Sequence, residues 1–267
     1  MRIRDDMDIP RRINGLSLFS GIGGLDLALS EWVRPIAYCE IDSYCQGVLL
    51  SRMATGDLAH APIWDDIKTL RIRPQEVDID IVYGGFPCQG ISIAGLGKGL
   101  ADERSGLFYE VVRLCREIKP RFIFLENVPA ITTRGGTKVV REVTSLGYDC
   151  RWCVIPAASI GALHRRERWF LLAHSNENIK YGSNPLRIPS QQADKSTITE
   201  QREERTRRGH TRQYWPFESR EHWQEVVSSM GKCSDGIPNH VDRLRSLGNA
   251  VCPQQVKEAF EILMGLK

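Results

Sequence analysis

Apolar positions in this chain fall into short runs, separated by stretches in which apolar residues recur every three or four positions. Residues 15–20, "GLSLFS", and 34–42, "RPIAYCEID", read as strands; between them "GIGGLDLALSEW" carries Leu25, Ala28, Leu29 and Trp32 at helical spacing. The order repeats down the chain. "DIDIVYGG" reads as a strand, "GLFYEVVRLCREIKP" as a helix ended by Pro120, "RFIFLENV" as a strand and "TKVVREVTSLGY" as a helix, followed by two strands, "DCRWCVIPA" and "RWFLLAH". Such alternation predicts an α/β fold: an open, mostly parallel sheet with helices on both faces. After His174 the pattern breaks. Residues 175–240 are polar, rich in Arg, Gln, Ser, Thr and Asn, and predict a small loop-rich region. Helical periodicity returns in "QQVKEAFEIL", so 241–267 is expected to pack back on the main domain of residues 1–174. No internal repeat is visible.

Composition narrows the picture only a little. The chain has 267 residues, 42% hydrophobic and 26% charged, which suits one main globular domain with a smaller piece appended. Its start, "MRIRDDMDIPRRING", has no apolar core of signal-peptide length, and no later run approaches a membrane span, so a cytoplasmic protein is expected. Eight cysteines in that setting read as reduced thiols. Neither "CRWC" nor the scattered His210, His222 and His240 makes a ligand set, and no metal is expected. The net charge of +3 is too small to mark a nucleic-acid partner, so any basic surface must be local.

Candidate chemistry collects at the strand ends. "FSGIGG", residues 19–24, joins the first strand to the first helix; glycines there let the backbone turn sharply and approach a ligand beside a helix N-terminus. Asp26 stands where a dinucleotide fingerprint needs its third glycine, which weakens a nicotinamide reading. Glu40, at the end of the second strand, is placed to hold ribose hydroxyls, although a tight turn beside a solvated glutamate explains the pair equally well. In "GGFPCQGIS" a proline stiffens the backbone just before Cys88. A lone cysteine is usually a small buried hydrophobe, but the strand-end position and the flanking glycines favour a nucleophile. The next strand ends in Glu126 and Asn127, and "HRRER" brings Arg165, Arg166 and Arg168 before another. Nucleophile, acid and guanidinium groups therefore converge on one sheet edge, where open α/β sheets bind ligands.

Taken in order, "FSGIGG", "FPCQGIS", "ENV", "RRER" and "LGNAV" resemble the motifs of the cytosine-C5 DNA methyltransferases over most of the chain outside 175–240. The resemblance implies a Rossmann-like methyltransferase fold and S-adenosyl-L-methionine as methyl donor. It implies a donor site made by Phe19, Gly21, Gly23, Glu40, Ile41, Asp66 and Ile67, closed from the far end of the chain by Asn249 and Val251. Ile41 stands where an aromatic residue is common, His164 where glutamine is frequent, and the variable region is short. The same resemblance implies Cys88 as the nucleophile that adds to C6 of a flipped-out cytosine and turns C5 into an enamine carbon able to take the methyl group. Glu126 would protonate N3, and Arg168 with Arg166 would hold O2 against the developing charge.

Double-stranded DNA is the implied partner, met by a monomer, with a separately acting restriction endonuclease as a possible companion. Gln89 and Ser92, in the glycine-rich loop after the nucleophile, are expected against DNA, with Ser92 near a phosphate. Arg205, Arg207 and Arg208 belong to "QREERTRRGHTR", whose five arginines against two glutamates suit phosphate or guanine contact, whereas a solvated charged face is the plainer reading. A transfer-RNA cytosine methyltransferase would use the same motifs. A silent DNA-binding regulator of this fold would be expected to lack Cys88 or Glu126, and both are present.

Overall fold

The computed structural model describes residues 12–73, 75–87, 106–162, 164–175 and 240–266. Among them a seven-stranded sheet runs in the order β3-β2-β1-β4-β5-β7-β6. The strands are β1 (Ile13–Leu18), β2 (Val33–Cys39), β3 (Ile63–Trp64), β4 (Ile81–Gly85), β5 (Phe122–Asn127), β6 (Tyr148–Pro156) and β7 (Glu167–Ser175). The helices are α1 (Gly24–Leu29), α2 (Ser43–Ala54), α3 (Gly106–Ile118), α4 (Ile131–Arg134), α5 (Gly136–Thr144), α6 (His240–Asn249) and α7 (Pro253–Met264). No helix among the described residues is long and apolar enough to cross a membrane.

The sheet is parallel except for β7, which pairs antiparallel with both β5 and β6. That single reversal positions the site. A parallel β7 would carry the residues before it to the opposite edge. Running the other way, β7 sets Trp169 against Asn127 and brings Arg168 to the carboxyl edge of β4 and β5.

Each strand alternates its side chains between two cores. Leu16, Leu18, Val82, Ile123, Leu125 and Leu171 face α3 and α5, whose Val111, Leu114, Val139 and Val143 are buried. Ile81, Tyr83, Phe122, Phe124, Phe170 and Leu172 face α1 and α7, where Phe260 meets Phe124 edge-on at 5.3 Å. The β5 run is buried on both faces over its whole length, as a central strand requires.

A carboxyl sits beside the second core. Asp26 of α1 is almost wholly buried; Tyr83 Oη donates to its Oδ1 at 2.7 Å, and its Oδ2 has no hydrogen-bond partner among the described residues. Burial pushes its carboxyl up to about 6. The folded state thus keeps a proton that the unfolded chain has released, so stability falls as pH rises from about 4 to about 6. Asp26→Asn keeps an acceptor for Tyr83 and removes the titration. Its stability relative to the parent should rise across that window, by about 3 kcal/mol at most, and then level off. Urea unfolding of both proteins across the pH range tests this, and a pH-independent difference would refute it.

Candidate functional site

The turn after β1 builds one wall of a cavity at the carboxyl edge. Phe19, Gly21 and Gly23 all adopt left-handed backbone, with φ of 52°, 53° and 81°. Ser20 fastens the turn: its N–H donates to Cys39 O, and its hydroxyl meets that of Ser17 at 2.9 Å. Glu40 lies opposite. Its Oε2 accepts from Gly21 N at 2.6 Å and its Oε1 from Asp42 N at 2.8 Å, so two backbone donors fix the carboxylate and leave further lone pairs for a ligand. Phe19, Gly21, Glu40, Asn249 and Val251 all line this cavity. Residues from opposite ends of the sequence thus meet there, and α1 begins so close to the α6–α7 turn that a Cβ on Gly24 would lie 3.0 Å from Val251 Cγ2.

Four residues expected at the donor site do not line the cavity. The Gly23 position faces Leu58 and Leu49, and Ile67 is buried in the core. Asp66 uses Oδ1 to accept from Lys68 N, in a turn that Arg113 holds through the carbonyls of Ile67 and Leu70. Ile41 is 74% exposed beside Glu40.

Sequence reasoning missed Asp42, Cys45, Arg245 and Ser246, which also line the cavity. Asp42 caps α2 by accepting from Tyr44 N and Cys45 N, and it pairs with Arg245 of α6. One residue on, Ser246 Oγ meets Cys45 Sγ at 3.4 Å. A signal existed for Arg245: it precedes Asn249 by four residues, one helical turn, and so shares its face.

The residues expected to act on the base, apart from Cys88, lie where β4, β5 and β7 finish or begin. Glu126 is buried against Arg168, whose Nε stands 2.8 Å from its Oε1. Burial raises the Glu126 carboxyl to about 7, outweighing the opposing pull of Arg168 and then Arg166. Its other oxygen faces Gly85 so closely that a Cβ there would lie 2.6 Å from Oε2. Asn127 Nδ2 donates to Phe86 O at 2.9 Å, anchoring the backbone two residues before Cys88. Cys88 itself lies outside the described residues, as do Gln89, Ser92, Arg205, Arg207 and Arg208.

The arginines of "HRRER" separate by position. Arg165 is solvated and pairs with Glu167. Arg166, expected beside Arg168 at the reacting base, instead donates to Gly248 O and Ala250 O. Its backbone is strained there, with φ 22°, just before β7 begins. No group of three or more His, Cys, Asp and Glu residues that could hold a metal occurs among the described residues.

The family model for C-5 cytosine-specific DNA methylases matches residues 13–251. The chain belongs to that family. It is 38% identical over 159 residues to the Type II methyltransferase M.CviJI of Paramecium bursaria Chlorella virus IL3A, covering 59% of this chain and 42% of the relative. It is 34% identical over 170 residues to M.HhaI of Haemophilus parahaemolyticus, covering 61% and 49%. The chain thus spans about half the length of the curated relatives it matches. Among solved structures, a DNA modification methyltransferase encoded in an E. coli prophage aligns at TM-score 0.50 and 27% identity, over 61% of this chain and 47% of that one. A Spodoptera frugiperda DNMT2 variant aligns at TM-score 0.53 over 95% of this chain and 98% of its own; at 15% identity it speaks for the shared fold alone. The cavity and the buried Glu126 share one edge of the sheet.

Proposed function

We propose that this chain methylates C5 of cytosine in double-stranded DNA with S-adenosyl-L-methionine as donor. The observation that carries the reading is the buried Glu126–Arg168 pair, set beside the donor cavity at the end of the strand next to the one leading to Cys88. The cavity suits the donor: a fixed carboxylate, Glu40, can accept from a vicinal diol, and the left-handed turn at 19–23 keeps side chains out of the way of a ligand lying along it. Bound there, S-adenosyl-L-methionine supplies an electrophilic methyl group.

The chain's own residues do the rest. The Cys88 thiolate adds to C6 of the base, and the electron pair displaced from the C5–C6 bond is taken up as Glu126 gives its proton to N3. Arg168 lies close enough to Glu126 to hold the base on its O2 side. With the donor bound, its methyl group would pass from sulfur to C5 and leave S-adenosylhomocysteine; N3 then returns its proton to Glu126, water takes up the C5 proton, and Cys88 departs as thiolate while the C5–C6 double bond re-forms. Because the ring must be reached from both faces, the nucleotide leaves the duplex first, at a cost of a few kcal/mol. Recognition of the target is assigned to residues 175–240, and protection of DNA from a companion endonuclease is the cellular role that fits.

The test begins with the chain expressed in a host whose DNA is then sequenced for 5-methylcytosine. Duplexes bearing 5-fluorocytosine at the methylated site should form a donor-dependent adduct that survives denaturation, since fluorine blocks the last elimination. Matching RNA should not. No methylated site and no adduct would defeat the reading, and an adduct with transfer RNA alone would move the substrate from DNA to RNA.

A further inference from the structure

We infer that Arg166 is a positioning residue of the donor site, which sets the Asn249–Val251 turn as a cavity wall and does not hold the target base. The inference rests on the donor-site reading above. Helix α6 ends at Asn249, so its last carbonyls have no partner within the helix, and its last turn contains no basic residue. Arg166 supplies what is missing from another part of the sheet. Its Nη2 donates to Gly248 O at 2.7 Å and to Ala250 O at 2.5 Å, placing a guanidinium where the helix dipole favours positive charge.

Arg166 is itself held from behind. Gln255 of α7 is fully buried, and its Nε2 donates to Arg166 O at 2.8 Å and to Ile155 O at 2.5 Å. One clasp thus joins the end of β6, the start of β7, the α6–α7 turn and α7. The strained φ of 22° at Arg166 fits this role, because unfavourable backbone persists where surrounding contacts over-determine it. Asn249 and Val251, on either side of Ala250, line the donor cavity, and Val251 rests on Gly24 at the start of α1. Arg168, two residues further on, reaches Glu126 instead. The two arginines therefore divide the work: one shapes the donor site, the other meets the catalytic acid.

The experiment compares the full chain with Arg166→Ala and Arg166→Lys, using S-adenosylhomocysteine binding by calorimetry and steady-state kinetics on the methylated duplex. Arg166→Ala should bind the probe about tenfold to a hundredfold more weakly, as expected for losing hydrogen bonds from a charged donor. The donor KM should rise in parallel, while the DNA KM and the kcat at saturating donor stay within about threefold. Arg166→Lys keeps the charge but not the planar fork, and should fall between the two. If Arg166→Ala does not fold, the lysine variant decides. Probe affinity at the parent level, with kcat lost instead, would return Arg166 to the reacting base and overturn the inference. An unaltered parent chain without affinity for S-adenosylhomocysteine would overturn the donor-site reading itself, and that failure appears before any variant is made.

Discussion

Glu126→Gln should lower methyl transfer by roughly 10²- to 10⁴-fold while leaving donor binding in place. The amide matches the carboxyl in size and still offers Arg168 an acceptor, so the loss isolates the proton that Glu126 delivers. That proton is available near neutrality because burial holds the carboxyl up at about 7, and Arg168 pulls it down only in part. The sign follows directly. Between about 4.5 and 7 the folded chain keeps a proton that the unfolded chain has lost, so the acid form persists at a stability cost that grows as pH rises through that window. In the parent enzyme, single-turnover rates should therefore fall as pH climbs past about 7, and the glutamine variant should lack that limb. A variant that keeps both the parent rate and the parent limb would remove Glu126 as the acid.

Much of this was legible in the sequence, for reasons that particular elements make clear. β5 is apolar from Phe122 to Leu125 because it is central and covered on both faces, and it turns polar only at Glu126 and Asn127, where it reaches the site; α3 shows a clear stripe because one face alone is buried. α2 was missed. Its buried Cys45, Leu49 and Met53 lie one turn apart, but Gly47 and the polar residues between them blur the stripe. β3 is two residues long and exists only by pairing with β2, which no local pattern can announce. α6 turns Val241, Leu244 and Leu247 outward and is recognised by what it does at the cavity, through Arg245, Ser246 and Asn249.

The site followed the same division. Motif spacing placed Glu126 and Arg168 together, and it could not separate Arg166 from Arg168, because two arginines of "RRER" look alike until the backbone sends one to a helix end. Nor could it say that "RWFLLAH" runs antiparallel, the feature that carries Arg168 to the acid at all.

Two adjacent glycines should separate folding from catalysis. A Cβ on Gly84 would lie 2.2 Å from Leu18 O, a backbone atom of the neighbouring strand, so Gly84→Ala must spread β1 from β4 at the centre of the sheet. Gly84→Ala is expected to fold poorly. A Cβ on Gly85 meets only the Glu126 side chain, closest at Oε2, 2.6 Å away, and that atom ends a side chain that can swing aside. Ordinary contact begins near 3.4 Å, so the carboxyl must retreat by roughly 1 Å, and misplacement of that size costs on the order of 10²-fold in rate. Gly85→Ala should therefore melt within a few degrees of the parent and bind S-adenosylhomocysteine with nearly parental affinity, yet transfer methyl groups about a hundredfold more slowly. Thermal melting, calorimetry and single-turnover kinetics on the same preparations check all three. Parental turnover in Gly85→Ala would mean that the position of the Glu126 carboxyl does not govern the rate.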